Sequence, residues 1–191
     1  MTLKSEPYPA VFSIYEEKRK QMLKWAREHY VEDFGLKPGK LLDAACGEGF
    51  WADMFVDMGF EAHGFDAESI YIENGRKKYP RVELEEADVF GDLPYLPGSF
   101  DVVLARALPF FYSYHFTDMK KVINNLLPLV AYGGTLLLGF YSDGSGEKRP
   151  GLYTGSFWHH PHETFLRVAE ECGIVTHSVS LGNYCQIGMR P

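Results

Sequence analysis

Between Asp43 and Gly49 the chain reads DAACGEG, a carboxylate followed by two glycines two positions apart. Glycines at that spacing let the backbone turn sharply and let a ligand come close to the main chain. A helix that starts there offers N–H groups with no partner inside the helix. Such a loop suits the polar end of a nucleotide-like molecule, but a bare Gly-x-Gly does not say which. GEGFWA also fits the Gly-x-Gly-x-x-Ala of a nicotinamide-dependent oxidoreductase, and Asp66, 19 positions beyond Gly47, fits the ribose-binding acid of that motif. Asp43 separates the candidates. A carboxylate about 5 Å from a pyrophosphate charge costs roughly 3 kcal/mol at an effective dielectric near 20, whereas it favours a ligand that carries cationic groups.

Two further stretches hold reactive side chains. The first is RALPFFYSYHF, Arg106 to Phe116. Arg106 can pair with an acidic acceptor, and Tyr112, Tyr114 and above all His115 can line a pocket or supply a base. Aromatic clusters are nonetheless more often packing than chemistry. The second is WHHPHE, Trp158 to Glu163, where His159 and Glu163 have the i, i+4 spacing of helix ligands. Pro161 points to a helix that only begins there, and neither His-Glu-x-x-His nor a nearby cysteine completes a zinc set, so no metal is expected.

The elements that must position these residues follow from periodicity. A helical pattern runs from about Phe12 to Tyr30, with Phe12, Tyr15, Met22, Ala26 and His29 on one side, and GLKPGK ends it. LLDAA (41–45) reads as a buried strand, 48–58 as a helix, 61–65 as a strand, 69–79 as a helix stopped by Pro80, 82–86 as a weaker strand and FDVVLA (100–105) as a strong central one. Thr117 is expected to cap a helix with Met119, Val122, Ile123 and Leu126 on its face. Gly133 and Gly134 introduce the strand TLLLGF. The region 142–158 is expected as a loop, either a lid or a solvated connection, and Pro161 opens a helix closed by Gly173. The runs 174–181 and 184–189 fit a hairpin around Gly182-Asn183. Alternating strands and helices predict an α/β fold, a mostly parallel sheet with helices on both faces and an antiparallel C-terminal edge hairpin.

S-adenosylmethionine carries an ammonium and a sulfonium and no phosphate, so the charge argument at Asp43 favours it over NAD(P). The motifs agree with that choice. DAACGEG resembles the D-x-x-C-G-x-G loop of the class I S-adenosylmethionine-dependent methyltransferases. HGFDAES, EEADVF, DLPYLPGSFDVVLA and LLPLVAYGGTLLLGFY are similar, in order, to that family's next four motifs. The resemblance covers nearly all of the chain after residue 35 and implies a Rossmann-like sheet of seven strands. It implies that Asp43, Gly47 and Gly49 surround the amino-acid part of the cofactor, with Ala45 and Cys46 beside them. Asp66, next to Ala67, would take both ribose hydroxyls. Asp88 would accept a hydrogen bond from the adenine amino group, Val89 would pack near the ring, and Ala105 would lie at the end of the fourth strand. The family's third helix has no counterpart, because 90–99 reads as loop.

The bulk properties narrow the partner. A chain of 191 residues is expected to form one domain, with 1–34 as an N-terminal helical cap. A net charge of −7 argues against nucleic-acid phosphates as the target, and no apolar run approaches the ~20 residues that span a bilayer. Cys46, Cys172 and Cys185 are scattered and odd in number, as in a cytoplasmic protein with reduced thiols. The [DN]-P-P-[YF] motif of base-modifying methyltransferases has Ala105, Arg106, Ala107 and Leu108 in its place. A small-molecule acceptor is expected, and a monomer or homodimer. A protein that keeps the cofactor pocket without turnover, and less readily an NAD(P)-dependent oxidoreductase, remain as rival readings.

Overall fold

The computed structural model describes residues 16–150 and 156–191. Five strands run parallel: β1 (Lys40–Ala44), β2 (Glu61–Asp66), β3 (Glu83–Glu86), β4 (Phe100–Arg106) and β5 (Val130–Tyr141). A C-terminal hairpin of β6 (Ile174–Leu181) and β7 (Tyr184–Arg190) joins them, with β7 antiparallel to both β5 and β6. The order across this seven-stranded sheet is β3-β2-β1-β4-β5-β7-β6.

Strand alternation sorts the core into two layers. Leu42, Val103, Leu136 and Leu138 face one side, where Met119, Val122, Ile123 and Leu126 of α4 (Thr117–Leu126) and Phe165, Val168 and Ala169 of α5 (His162–Glu170) cover them. Leu41, Val102, Leu104 and Leu137 face the other, under α1 (Arg19–Ala26), α2 (Phe50–Asp57) and α3 (Ser69–Lys78). The central strands are apolar throughout because both of their faces are covered.

Beyond α1 the chain continues through wider i→i+5 turns, Arg27–Glu32, which set Tyr30 into the core. The part of the expected N-terminal helix before residue 16 lies outside the described residues. An ion network holds this segment to α2. Arg19 meets Asp53 at 2.5 Å and Asp57 at 2.8 Å, and Arg81 meets the same two acids at 2.8 and 2.9 Å.

Three expectations are corrected. Thr117 is the first helical residue of α4 and makes no capping bond, since the Phe116 carbonyl already accepts the Lys120 N–H at 2.9 Å. β5 begins at Val130, ahead of Gly133 and Gly134, which sit in a bulge where the β4–β5 register shifts. Within 142–158 the chain forms a second small sheet, Lys148–Pro150 with Ser156–Trp158, whose three-residue strands are too short to show an alternation. Its Phe157 and Trp158 rings lie 5.2 Å from Tyr112 and 4.7 Å from Tyr114. No helix among the described residues is long and apolar enough to cross a membrane.

Candidate functional site

The strand order reverses between β1 and β4, and parallel α/β sheets open a crevice outside the strand ends at that point. A cleft of ≈ 410 Å³ lies there, lined at its base by Asp43, Ala45, Cys46 and Gly47 and at its rim by Asp66, Ala67, Asp88, Val89, Arg106 and Phe110. Two alanines shape it. Ala45 follows β1 with φ 53° and Ala107 follows β4 with φ 54°, a left-handed conformation that costs energy for any residue with a Cβ. Gly47 at φ 58° and Gly49 at φ 88° complete the turn, and Gly49 caps α2.

Asp43 is 2% exposed, next to the start of α2. Burial pushes its carboxyl up to about 7, and Asp66 adds to the rise, while Arg106 and a hydrogen bond from the Ala52 backbone N–H oppose it. Asp66 is already engaged: Oδ2 accepts the Gly47 N–H at 2.8 Å and Oδ1 the Glu68 N–H at 3.0 Å. It braces the glycine loop, and each oxygen keeps a further lone pair for a ligand hydroxyl. Exposed Asp88 accepts the Phe90 N–H at 2.9 Å, and Val89 is buried. Burial, then Asp43 and Asp66, raise the Cys46 thiol well above its ordinary value, which removes it as a nucleophile.

Not every expected residue reaches the cleft. Gly49 and Ala105 are buried behind the lining. His115 is exposed on the way into α4, with its ring 4.9 Å from Tyr114, and does not line the cleft. Tyr112 accepts the Tyr141 N–H at 3.0 Å, burial pushes its phenol up to about 12, and it does not line the cleft. Of Arg106, Tyr112, Tyr114 and His115, only Arg106 lines the cleft. Its guanidinium lies 3.8 Å from the Trp51 ring centroid and donates from Nε to Tyr30 Oη at 3.3 Å. Tyr30 in turn meets Tyr184 at 2.5 Å between hydroxyl oxygens, 154 positions apart in the chain, a pairing with no local sequence signal.

The lining fits a cationic nucleoside-like ligand. Asp43, Asp66, Glu68 and Asp88 set four carboxylates against the one guanidinium of Arg106. Trp51, on the wall, has a buried indole N–H without a partner among the described residues. A pyrophosphate would meet an acidic base; an ammonium would meet Asp43.

These features define a doubly wound α/β protein with its ligand cleft at the switch point of the sheet. Residues 41–134 match a family model described as a methyltransferase domain. A probable S-adenosylmethionine-dependent methyltransferase of Mycolicibacterium smegmatis is 29% identical over 98 residues, 51% of this chain and 36% of that protein. Among solved structures, an S-adenosylmethionine-dependent methyltransferase from Clostridium acetobutylicum superposes with a TM-score of 0.71 at 13% identity, covering 96% of this chain and 98% of that one. The glycopeptide N-methyltransferase MtfA in complex with S-adenosylmethionine gives 0.67 at 16% identity, covering 88% and 94%. The chain spans 36% to 41% of the length of the curated relatives it matches. Residues 41–134 are thus similar to a methyltransferase domain, and the curated relatives that the chain resembles are probable S-adenosylmethionine-dependent methyltransferases.

Proposed function

We propose that the protein is an S-adenosylmethionine-dependent methyltransferase acting on a small-molecule acceptor. The observation that carries this reading is the buried Asp43 carboxylate at the base of a cleft whose lining is dominated by acids. When bound, the cofactor supplies an electrophilic methyl group on a sulfonium. Asp43 would hold the ammonium end, the backbone from Ala45 to Gly47 would follow the amino-acid moiety, and Asp66 and Asp88 would accept hydrogen bonds from hydroxyl and amino donors. Val89 and Phe110 offer apolar surface for a ring, and Trp51 screens the base of the cleft from water.

The work left to the protein is alignment, which in favourable intramolecular cases amounts to about 7–11 kcal/mol. No histidine or lysine lines the cleft among the described residues. The chain's acidity disfavours a nucleic-acid acceptor, in keeping with a small-molecule one.

Calorimetric titration with S-adenosylhomocysteine, with NADH as control, tests the cofactor. We expect S-adenosylhomocysteine to bind and NADH not to; NADH binding alone would overturn the reading.

A further inference from the structure

Arg106 carries the only positive charge among the described residues that line the cleft. Its place follows from strand register. Asp43 on β1 pairs with Leu104 on β4, and Arg106 stands two residues beyond Leu104. Alternation therefore puts Asp43 and Arg106 on the same face of the sheet, the one that α2 covers, at the ends of adjacent strands. The two side chains feel each other: burial drives the Asp43 carboxyl up, and Arg106 is close enough to oppose the rise.

Three elements brace the guanidinium. The Trp51 ring of α2 lies against it at 3.8 Å, and Tyr30, from the turns after α1, accepts its Nε–H at 3.3 Å. Tyr184 of β7 meets Tyr30 at 2.5 Å between hydroxyl oxygens. Burial raises the Tyr30 phenol above its ordinary value, so it stays neutral and leaves the charge of Arg106 uncancelled. A guanidinium held in a fixed plane favours a planar oxyanion, a carboxylate above all. Trp51 gives an independent sign of the same kind. It is 6% exposed, and its indole N–H, a donor with no partner among the described residues, belongs to the cleft wall and suits an anionic oxygen. Asp66 and Asp88 already accept backbone N–H groups, whereas Asp43 and Arg106 form a pair of opposite charge at adjacent strand ends. The amino-acid end of the cofactor is such a pair itself, an ammonium and a carboxylate on one carbon, and Asp43 attracts the first and repels the second.

We propose that Arg106 is the seat of the cofactor's amino-acid carboxylate, with the Trp51 indole N–H beside it and Tyr30 as the residue that positions the guanidinium. The assignment rests on the methyltransferase reading above. The cleft then selects the zwitterion as a whole and rejects S-adenosyl compounds that have lost the carboxylate. Arg106 serves the cofactor rather than an acidic acceptor.

Calorimetry on the intact protein compares S-adenosylhomocysteine with its decarboxylated analogue, in which an aminopropyl chain replaces the amino-acid one. The two readings differ in sign. The analogue carries a net positive charge, so an acidic cleft without a carboxylate seat would bind the analogue more tightly. A seat at Arg106 reverses the order, and S-adenosylhomocysteine should bind about tenfold or more tighter. Arg106→Gln should abolish or invert that preference. Both ligands carry the ammonium, so any change at Asp43 cancels in the ratio. Arg106→Lys, which restores the charge without the planar fork, should recover part of the preference. Tyr30→Phe should reduce it by about threefold, which a loss of stability alone would not do. Wild-type preference for the analogue, or an unchanged ratio in Arg106→Gln, would overturn the assignment. If Arg106→Gln does not fold, an unchanged ratio in both Arg106→Lys and Tyr30→Phe overturns it instead. If the wild type binds both ligands equally, the assignment falls and the methyltransferase reading stands. If it binds neither, the methyltransferase reading fails and takes the assignment with it.

Discussion

Asp43 concentrates the conflict between stability and binding in one side chain. Its carboxyl, pushed up to about 7 by burial, resists ionisation in the folded protein. A raised carboxyl contributes stability that is fully present below its ordinary value and is lost as pH rises through the folded value. At pH 8 the ligand-free protein therefore carries a buried charge that Arg106 and the Ala52 N–H offset only in part and that a bound cation relieves further. Asp43→Asn should raise the melting temperature of the ligand-free protein at pH 8 and weaken S-adenosylhomocysteine binding. In the wild type, affinity should fall as pH drops below about 7, by up to about tenfold per unit, because the protonated acid no longer attracts the ammonium. The Asn variant should show a flat profile over the same range. A calorimetric pH series checks both, and a sloping Asn profile would assign the dependence elsewhere. Asp43, Gly47 and Asp66 were legible in the sequence because one loop and one strand–helix–strand unit bring them together. His115 read as a candidate base from residue type alone, and its exposure was not legible, since it depends on how the chain leaves β4.

At the level of elements, β7 and the segment after α1 meet over the top of β4 and β5. The contact depends on Gly139, where a Cβ would lie 2.1 Å from Tyr184 Oη and 3.3 Å from Arg106 Cβ. The Tyr184 hydroxyl uses that space to reach Tyr30, and Tyr30 accepts from Arg106. Gly139→Ala should cost about 1–3 kcal/mol through overpacking. It should also displace Arg106 from Trp51, read as a change in tryptophan emission alongside a lower melting temperature. Unchanged emission in a destabilised variant would confine the effect to packing. TLLLGF was readable as a strand from its apolar run, but the need for glycine at its fifth position was not. That need arises from a tyrosine 45 positions further on, which only antiparallel pairing of β5 with β7 brings alongside.

Across the whole molecule, the N-terminal helix rests on α2 through Asp53, which is 4% exposed and bonded to both Arg19 and Arg81. Asp53→Ala should cost about 1–3 kcal/mol, the range for hydrogen bonds to charged groups. The loss should be local at first. Amide hydrogen exchange should accelerate over residues 19–32 ahead of the central strands, and S-adenosylhomocysteine affinity should stay near the wild-type value because Asp53 does not line the cleft. Uniform acceleration throughout the sheet would show that the helix is no separate cooperative unit. The acid–arginine network had no signal in the sequence, because Arg19, the pair Asp53 and Asp57, and Arg81 lie in separate segments that meet only when the chain returns after α3.

What the sequence determined by itself is whatever lies within one strand–turn–helix unit or in the periodicity of one element. The mostly parallel sheet, the C-terminal hairpin around Gly182-Asn183, the glycine loop and the acids at three successive strand ends all belong to that class. Their signals are local because backbone turns and burial faces are set by residues a few positions apart. Tertiary structure alone decided which of the reactive residues share a space. It sent His115 to solvent, turned Tyr112 to the Tyr141 backbone, stacked Arg106 on Trp51, and joined Tyr30 to Tyr184 across 154 positions. The physical reason is range: a side chain's partners across a sheet or under a helix are fixed by packing between elements distant in sequence, and no window along the chain contains both members of the pair.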